Sequence, residues 1–250
     1  MPLLIDKLKQ YFRPGRLPES DPAAAYDIWA LEYDNQPDNL MLMLDGQVCA
    51  ELLADAPVRG NTVADIGCGT GRHWGKLYEK QPVRLVGFDV SPGMLQQLKA
   101  KYPQAETYLL KDSALPQLPT ASCDLLLSTL TVAHIPDITV AITEWARVLK
   151  PGGQLIITDY HPDALARGGQ RTFRDKSQKT IAIRNHVYPL SQITDIAARL
   201  NLTTFRIIER RIDASMRPWY QRQGAEAIFE RFLGVPIIYG MQLTRSDVAH

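Results

Sequence analysis

Between residues 62 and 159, short apolar or β-branched runs alternate with segments of helical length, and this rhythm constrains the fold more than any other feature of the chain. Runs at 62–66 and 84–90 read as strands, with a helix-length segment at 72–80 between them. A helix at 92–101 follows, then a strand near 107–110, a strand at 124–129, a helix at 138–149 and a strand at 154–159. Strands that are nearly continuous in apolar residues and separated by helices predict a parallel sheet covered on both faces. The expected fold class is α/β.

The flanks read differently. Leu4, Ile5, Leu8, Tyr11 and Phe12 recur at helical spacing and predict a short amphipathic helix, broken at Arg13-Pro14-Gly15. A second helix is expected from about Ala23, carrying Tyr26, Trp29 and Tyr33, and a third at 40–53. Beyond Tyr160 the alternation lapses until residue 188. Within that interval Arg171-Thr-Phe-Arg and Thr180-Ile-Ala-Ile-Arg flank a polar turn at 175–178, the pattern of an inserted hairpin. A helix at 190–200 and strands at 204–213 and 236–243 complete the chain, with a helical stretch at 223–233 in the connection between the strands. Nothing in the composition marks a linker, so the 250 residues are expected to form one domain.

Charge narrows the functional classes. Lys and Arg number 28 against 27 Asp and Glu, which leaves no global field to collect nucleic acid or an anionic membrane. The three cysteines, Cys49, Cys68 and Cys123, have neither metal-ligand nor disulfide-framework spacing, and they fit a reducing cytoplasm. No apolar run approaches the roughly 18 residues of a membrane span, and Asp6, Lys7 and Lys9 interrupt the stretch that a signal peptide would need. A soluble, cytoplasmic protein is the expectation.

The strongest chemical signal is Val63-Ala-Asp-Ile-Gly-Cys-Gly-Thr-Gly71, where the first strand of the sheet turns into its first helix. Gly67, Gly69 and Gly71 leave the backbone bare, so that a ligand can lie against the peptide groups. The helix start favours an anionic group by roughly 0.3–1 kcal/mol. The dinucleotide fingerprint spaces its glycines as G-x-G-x-x-G, whereas here they fall at 67, 69 and 71 with Arg72 next. Asp89, at the end of the second strand, is placed to accept hydrogen bonds from both hydroxyls of a ribose. Asp112 and Ser113, past the third strand, are placed to read the edge of an adenine. Each acid alone could equally cap a turn or helix, but all three features fall in register on consecutive strand ends.

With these motifs, and with Val86-Gly-Phe-Asp-Val-Ser-Pro-Gly-Met94, Cys123-Asp-Leu-Leu-Leu-Ser128 and Leu149-Lys-Pro-Gly-Gly-Gln-Leu155, the sequence resembles class I S-adenosylmethionine-dependent methyltransferases over about residues 26–160. Within that family it is most similar to the small-molecule enzymes related to ubiquinone and menaquinone biosynthesis. The resemblance implies a Rossmann-like, doubly wound, seven-stranded sheet, mostly parallel with the last strand antiparallel. It also implies S-adenosylmethionine as cofactor, S-adenosylhomocysteine as product and a small-molecule acceptor methylated on O, N or C. Residues 1–56 would form a helical lid, 61–159 the cofactor-binding core, 160–188 a substrate-side insertion, and 189–250 the closing helix and strands. By position, Asp65 and Gly67 would meet the methionine part of the cofactor, with Gly69 and Gly71 allowing close approach. Asp89 would hold the ribose, Val90 and Met94 would contact the adenine, Asp112 and Ser113 would read its edge, and Thr129 would begin the wall towards the substrate. Tyr33 and, towards the substrate, Tyr26 and Trp29 resemble the aromatic residues of the family's lid; core packing is the alternative for Trp29.

Methyl transfer from a sulfonium is an in-line displacement, so alignment supplies much of the rate. A hydroxyl or ammonium acceptor must also lose a proton, for which a neutral imidazole is suited near pH 7. Of the five histidines, His134, His161 and His186 are the catalytic candidates, with His161 or His186 ahead for proton abstraction; His73 and the terminal His250 are set aside. Tyr160, Arg171 and Tyr188 are further substrate contacts. Arg171 is of interest for a carboxylate acceptor, its alternative being a solvated charge on the hairpin. No metal site is expected. The competing functions are a non-catalytic S-adenosylmethionine-binding partner protein and an NAD-dependent oxidoreductase, the latter opposed by the Arg72 spacing.

Overall fold

The computed structural model describes residues 19–36, 38–174, 177 and 179–246. The amphipathic segment expected at 4–12, most of the hairpin turn at 175–178 and His250 lie outside the described residues.

The chain enters through a two-residue strand β1 (Glu19–Ser20) and helix α1 (Pro22–Trp29). Asp21 caps α1 by accepting the Ala23 N–H at 3.0 Å, and Pro22 occupies the first turn, where no N–H is required. Helix α2 (Leu40–Leu53) is capped by Asn39, whose side chain accepts the N–H groups of Met41 and Leu42. The core then alternates β2 (Thr62–Ile66), α3 (Trp74–Glu79), β3 (Arg84–Asp89), α4 (Pro92–Lys101), β4 (Glu106–Leu109), β5 (Cys123–Thr129), α5 (Ile138–Val148) and β6 (Leu149–Tyr160). After it come α6 (Pro162–Ala166), the hairpin β7 (Thr172–Arg174) and β8 (Thr180–Ile183), α7 (Leu190–Arg199), β9 (Leu202–Arg211), α8 (Arg217–Arg222), α9 (Glu226–Phe232) and β10 (Pro236–Arg245).

Seven strands form the main sheet in the order β4-β3-β2-β5-β6-β10-β9. All neighbours from β4 to β6 pair in parallel, while β10 runs antiparallel to both β6 and β9. The last strand of the chain therefore enters inside the sheet, and β9 forms the edge. Reversal of order between β2 and β5 leaves a crevice at the carboxyl ends of these strands, the place where open α/β sheets bind ligands.

Two departures from the sequence reading have local causes. The helical stretch expected at 223–233 is α9, and an additional helix, α8, precedes it, the two being parted at Gly224, whose φ of +62° leaves the helical region. The helix expected from residue 72 starts at Trp74, because the glycine-rich loop keeps its own turn conformation through His73.

Each face of the sheet has its own hydrophobic core. One is built against α2 and α9 by Val48, Leu52, Phe229 and Ile238 among others; the other lies under α5 and α7 around Ile142, Trp145, Ile193 and Met241. A third, small cluster of Ala25, Trp29, Phe173 and Ile183 belongs to neither. It joins α1 to the hairpin, and β1 completes the union by pairing in parallel with β8, Glu19 opposite Ala182 and Ser20 opposite Ile183. The N-terminal segment and the insertion thus form one cover over the carboxyl ends of the strands. Among the described residues, no helix is long and apolar enough to cross a membrane.

Candidate active site

The glycine-rich loop is pinned to the neighbouring strand before any ligand is considered. The N–H groups of Gly67 and Cys68 both donate to the Phe88 carbonyl, at 2.7 and 3.0 Å. Gly67 has φ +71°, and a Cβ at this position would overlap the side chain of Thr131; both facts require glycine. Gly69 donates its N–H to Asp89 Oδ2 at 2.8 Å, while a Cβ added there would meet no atom within 4 Å. Its bare face opens on a cavity.

Asp89 accepts a second backbone bond, from Ser91 N–H to Oδ1 at 2.8 Å. Burial nevertheless lifts its pKa to about 6. Asp65, one strand inward, is buried with Oδ2 accepting Trp74 Nε1–H at 2.8 Å. Its Oδ1 is buried and has no hydrogen-bond partner among the described residues, and burial raises its pKa to about 7. An acidic oxygen left without a donor is the kind of group that a cationic ligand beside it would satisfy.

A cavity of about 500 Å³ opens here. Of the expected cofactor residues, Gly67, Gly69, Asp89, Val90 and Met94 line one side, and Asp112, Ser113 and Thr129 line another. Tyr26, Tyr33 and His134 reach it from the lid and from the turn after β5. Asp65 and Gly71 stand behind the loop, Gly71 packed towards Leu98 and Trp74. Sequence reasoning missed Asp137, Val140 and Ala141 at the start of α5, and Leu110 and Lys111 beside Asp112. The adjacent Pro136 and the capping Asp137 were the signal that a helix start faces this space. Asp112 carries both readings made for it, since it faces the cavity and accepts the Ala114 N–H at 2.9 Å.

Behind Tyr26 lies a smaller hollow lined by Trp29, Tyr33, Leu130, Tyr160 and Arg171. Trp29 is buried and stacks on Phe173 with centroids 4.9 Å apart. Arg171 is only 4% exposed, so it is no solvated hairpin charge. Its Nη1 donates to the Tyr26 hydroxyl at 2.7 Å and to the Leu130 carbonyl at 2.6 Å, and also lies against His134 Nε2. Its Nη2 donates to Asp159 Oδ1 at 3.1 Å, and its guanidinium covers the Tyr160 ring at 4.6 Å. The Leu130 carbonyl is presented by a residue with φ +53°, a conformation costly for a side chain of this size.

His134 is fixed at both nitrogens. Nδ1 is 2.9 Å from the Arg184 carbonyl, which can only accept, so Nδ1 carries the proton. Nε2 is then the acceptor and faces the Tyr26 hydroxyl at 2.9 Å. Burial and the nearby guanidinium hold its pKa well below the usual histidine value, and the ring is neutral.

The structure places the remaining candidates elsewhere. His161 caps α6, with Nδ1 accepting the Asp163 N–H at 3.1 Å and Nε2 against Glu209 at 2.9 Å. His186 stacks with Tyr188, and both line a separate small hollow. The Tyr188 hydroxyl donates to the carbonyls of Ile135 and Pro136, which braces the cavity wall from outside. Among the described residues there is no group of three His, Cys, Asp or Glu able to hold a metal ion.

Three lid carboxylates missed by the sequence reading fasten the cover to the cofactor loops. Asp27 accepts the Gly93 N–H at 2.7 Å. Asp34 accepts the Thr70 hydroxyl at 2.6 Å and pairs with Lys101. Asp45 is fully buried, where it takes hydrogen bonds from Arg72, His73 and Thr158. Single acids without periodicity carry no sequence signal of such partners.

The sheet order, the inserted antiparallel strand and the glycine-rich loop define a Rossmann-like methyltransferase fold. Residues 64–157 match the methyltransferase domain family. It is 32% identical over 141 residues to a malonyl-[acyl-carrier protein] O-methyltransferase of Serratia marcescens, covering 56% of this chain and 52% of that one. It is 35% identical over 109 residues to a trans-aconitate 2-methyltransferase of Azoarcus sp., covering 43% and 42% respectively. The chain spans about half the length of these curated relatives. In fold it is similar to a methyltransferase of Haloferax volcanii, solved with the Trm112 activator, at TM-score 0.67, 20% identity and coverage of 91% and 99%. A Mesorhizobium loti S-adenosylmethionine-dependent methyltransferase superposes at TM-score 0.60, 20% identity and coverage of 78% and 96%.

Proposed function

We propose that this protein transfers a methyl group from S-adenosylmethionine to a small-molecule acceptor, releasing S-adenosylhomocysteine. The observation that carries the reading is the Asp89 carboxylate, held by the Gly69 and Ser91 N–H groups at the edge of the cavity. Its remaining lone pairs suit a ribose diol. Charge supports the same ligand: Asp21, Asp89, Asp112 and Asp137 line the cavity against a single Lys111. A sulfonium compound with an ammonium group fits such a lining; the pyrophosphate of a nicotinamide dinucleotide does not. The relatives named above are methyltransferases, which favours turnover over a purely binding role.

When bound, the cofactor supplies a methyl carbon already activated by the positive sulfur. The protein's own part is to orient and to exclude water. Asp89 would hold the nucleoside end and Gly67 and Gly69 would let the backbone approach, with the unpaired Asp65 Oδ1 buried behind the loop. Thr129 and the turn to His134 form the wall at which the acceptor is presented, and Tyr26 and Tyr33 close it from the lid. The unpaired, buried cysteines accord with a reducing, cytoplasmic setting. Calorimetric titration with S-adenosylmethionine and with NADH tests the reading: micromolar binding of the first and none of the second is expected, and preference for NADH would overturn it.

A further inference from the structure

The lid carries one dipeptide twice. Tyr26-Asp27 and Tyr33-Asp34 stand seven residues apart, and each sends its two side chains in different directions. The tyrosines line the cavity. The acids turn instead to the two loops that would hold the cofactor.

Asp27 completes the start of α4. In the first turn, the Met94 N–H donates to Ser91 Oγ at 3.1 Å and the Leu95 N–H to the Ser91 carbonyl at 3.2 Å, while Pro92 has no N–H to donate. The Gly93 N–H finds its acceptor across the cleft, in Asp27 Oδ1 at 2.7 Å. The same oxygen accepts the Ser91 hydroxyl at 3.3 Å. Only glycine admits this contact, since a Cβ at position 93 would stand 2.7 Å from Asp27 Oδ1. Ser91 is in turn the residue whose N–H donates to Asp89 Oδ1 at 2.8 Å. A chain of hydrogen bonds therefore runs from the lid through Ser91 to the acid proposed for the ribose.

Asp34 grips the other loop. Its Oδ1 accepts the hydroxyl of Thr70, which is buried between Gly69 and Gly71, at 2.6 Å, and its Oδ2 meets Lys101 Nζ at the far end of α4 at 2.8 Å. Asp27 and Asp34 are themselves exposed, so burial does not demand these partners.

Building on the methyl-transfer reading, we infer that Asp27 and Asp34 are positioning residues that register the cavity-lining tyrosines against the cofactor, Asp27 through its nucleoside half and Asp34 through its methionine half. Neither acid touches the ligand. In-line displacement depends on the separation of acceptor and methyl carbon, and the segment that carries Tyr26 and Tyr33 is pinned to the cofactor loops by the residues next to those rings. The coupling is reciprocal: a ligand that steadies the two loops steadies the lid, and loosening either pin lowers affinity for that half of the ligand.

The test uses the whole protein and two probes, S-adenosylmethionine and 5′-methylthioadenosine, which lacks the methionine amino and carboxylate groups. The unaltered protein is titrated first, and absence of S-adenosylmethionine binding would remove the methyl-transfer reading and this one with it. Both acids are exposed, so alanine leaves the fold in place. Asp27→Ala should weaken both probes about fivefold, the loss of one hydrogen bond at the surface. Asp34→Ala should weaken S-adenosylmethionine by a similar factor and leave 5′-methylthioadenosine within about twofold. In an Asp89→Ala background, Asp27→Ala should have no further effect on either probe, because the chain it acts through is already broken. Acids that serve stability alone would lower the thermal midpoint without this pattern. Unchanged affinity in both alanine variants, equal loss of 5′-methylthioadenosine in both, or an Asp27 effect that persists without Asp89 would each overturn the inference. So would a protein that binds S-adenosylmethionine but not 5′-methylthioadenosine, since the two halves would then not be read separately; in all four cases cofactor binding, and the methyl-transfer reading, would stand.

Discussion

Asp89 accepts a hydrogen bond from the Gly69 N–H at 2.8 Å, although 20 residues separate the two in sequence. The bond ties the end of β3 to the turn after β2, beside the two backbone bonds from Gly67 and Cys68 to the Phe88 carbonyl. Replacing Asp89 with Ala removes the ribose acceptor and one of the three ties that hold the loop to β3. We expect S-adenosylmethionine affinity to fall at least about tenfold, from the loss of one or two charged hydrogen bonds of roughly 1.5–3 kcal/mol each. Calorimetry showing unchanged affinity would take Asp89 out of the site.

Cofactor affinity should depend on pH through Asp65 and Asp89. In the free protein burial raises their pKa values to about 7 and about 6. A ligand carrying hydroxyl and ammonium donors binds their ionised forms, so binding releases protons. Affinity is then fully present above about pH 7 and falls as pH drops through 7 and then 6. The stability of the free protein runs the other way. Folding favours the protonated acids, so these two groups lower stability as pH rises from about 4 to about 7. Calorimetry in two buffers of different ionisation enthalpy measures the released protons directly; a pH-independent affinity contradicts the prediction.

Asp45 should matter for stability more than any other lid residue. It is 0% exposed and takes hydrogen bonds from Arg72, His73 and Thr158, and the first two hold its pKa well below the usual carboxylate range against a burial that opposes ionisation. Asp45→Ala leaves the Arg72 guanidinium without its partner and should destabilise the protein by about 3–5 kcal/mol. Urea denaturation checks the figure, and a change below about 1 kcal/mol would show that the cluster relaxes around the loss.

His161→Ala should leave S-adenosylmethionine affinity unaltered. The imidazole caps α6 and meets Glu209, away from the cavity, so its loss should cost about 1 kcal/mol of stability. The two effects are read by calorimetry and by thermal unfolding of the same sample. Weakened cofactor binding would place His161 nearer the site than its contacts do.

Much of the fold was legible because the core strands announce themselves locally. Thr62–Ile66 and Pro92–Lys101 appear in the structure at the limits their sequence patterns gave, since glycines close the first and Ser91-Pro92 opens the second. Gly67, Gly69, Asp89 and Asp112 were legible for the same reason, each lying at or just past the end of a readable strand, whereas the cavity-lining acids Asp21 and Asp137 sit at helix starts and were not. Nor was the cover. Glu19–Ser20 is too short to carry a period, and its partner in the hairpin is more than 160 residues away. Arg171 read as a solvated charge or a substrate contact, because nothing local tells that its guanidinium is buried against Leu130, Asp159 and His134. The catalytic ranking of His161 and His186 rested on nearness to a strand end in sequence. The side chains turn instead into a helix cap and an aromatic stack.

The separate cluster of Ala25, Trp29, Phe173 and Ile183 bears on how such an enzyme could be given a new substrate. The cluster is distinct from both cores of the sheet, yet the segment that carries it is tied to the glycine-rich loop and to α4 by Asp34 on Thr70 and Asp27 on Gly93. An exchange of the cover therefore has to keep those two acids as well as the pairing of β1 with β8.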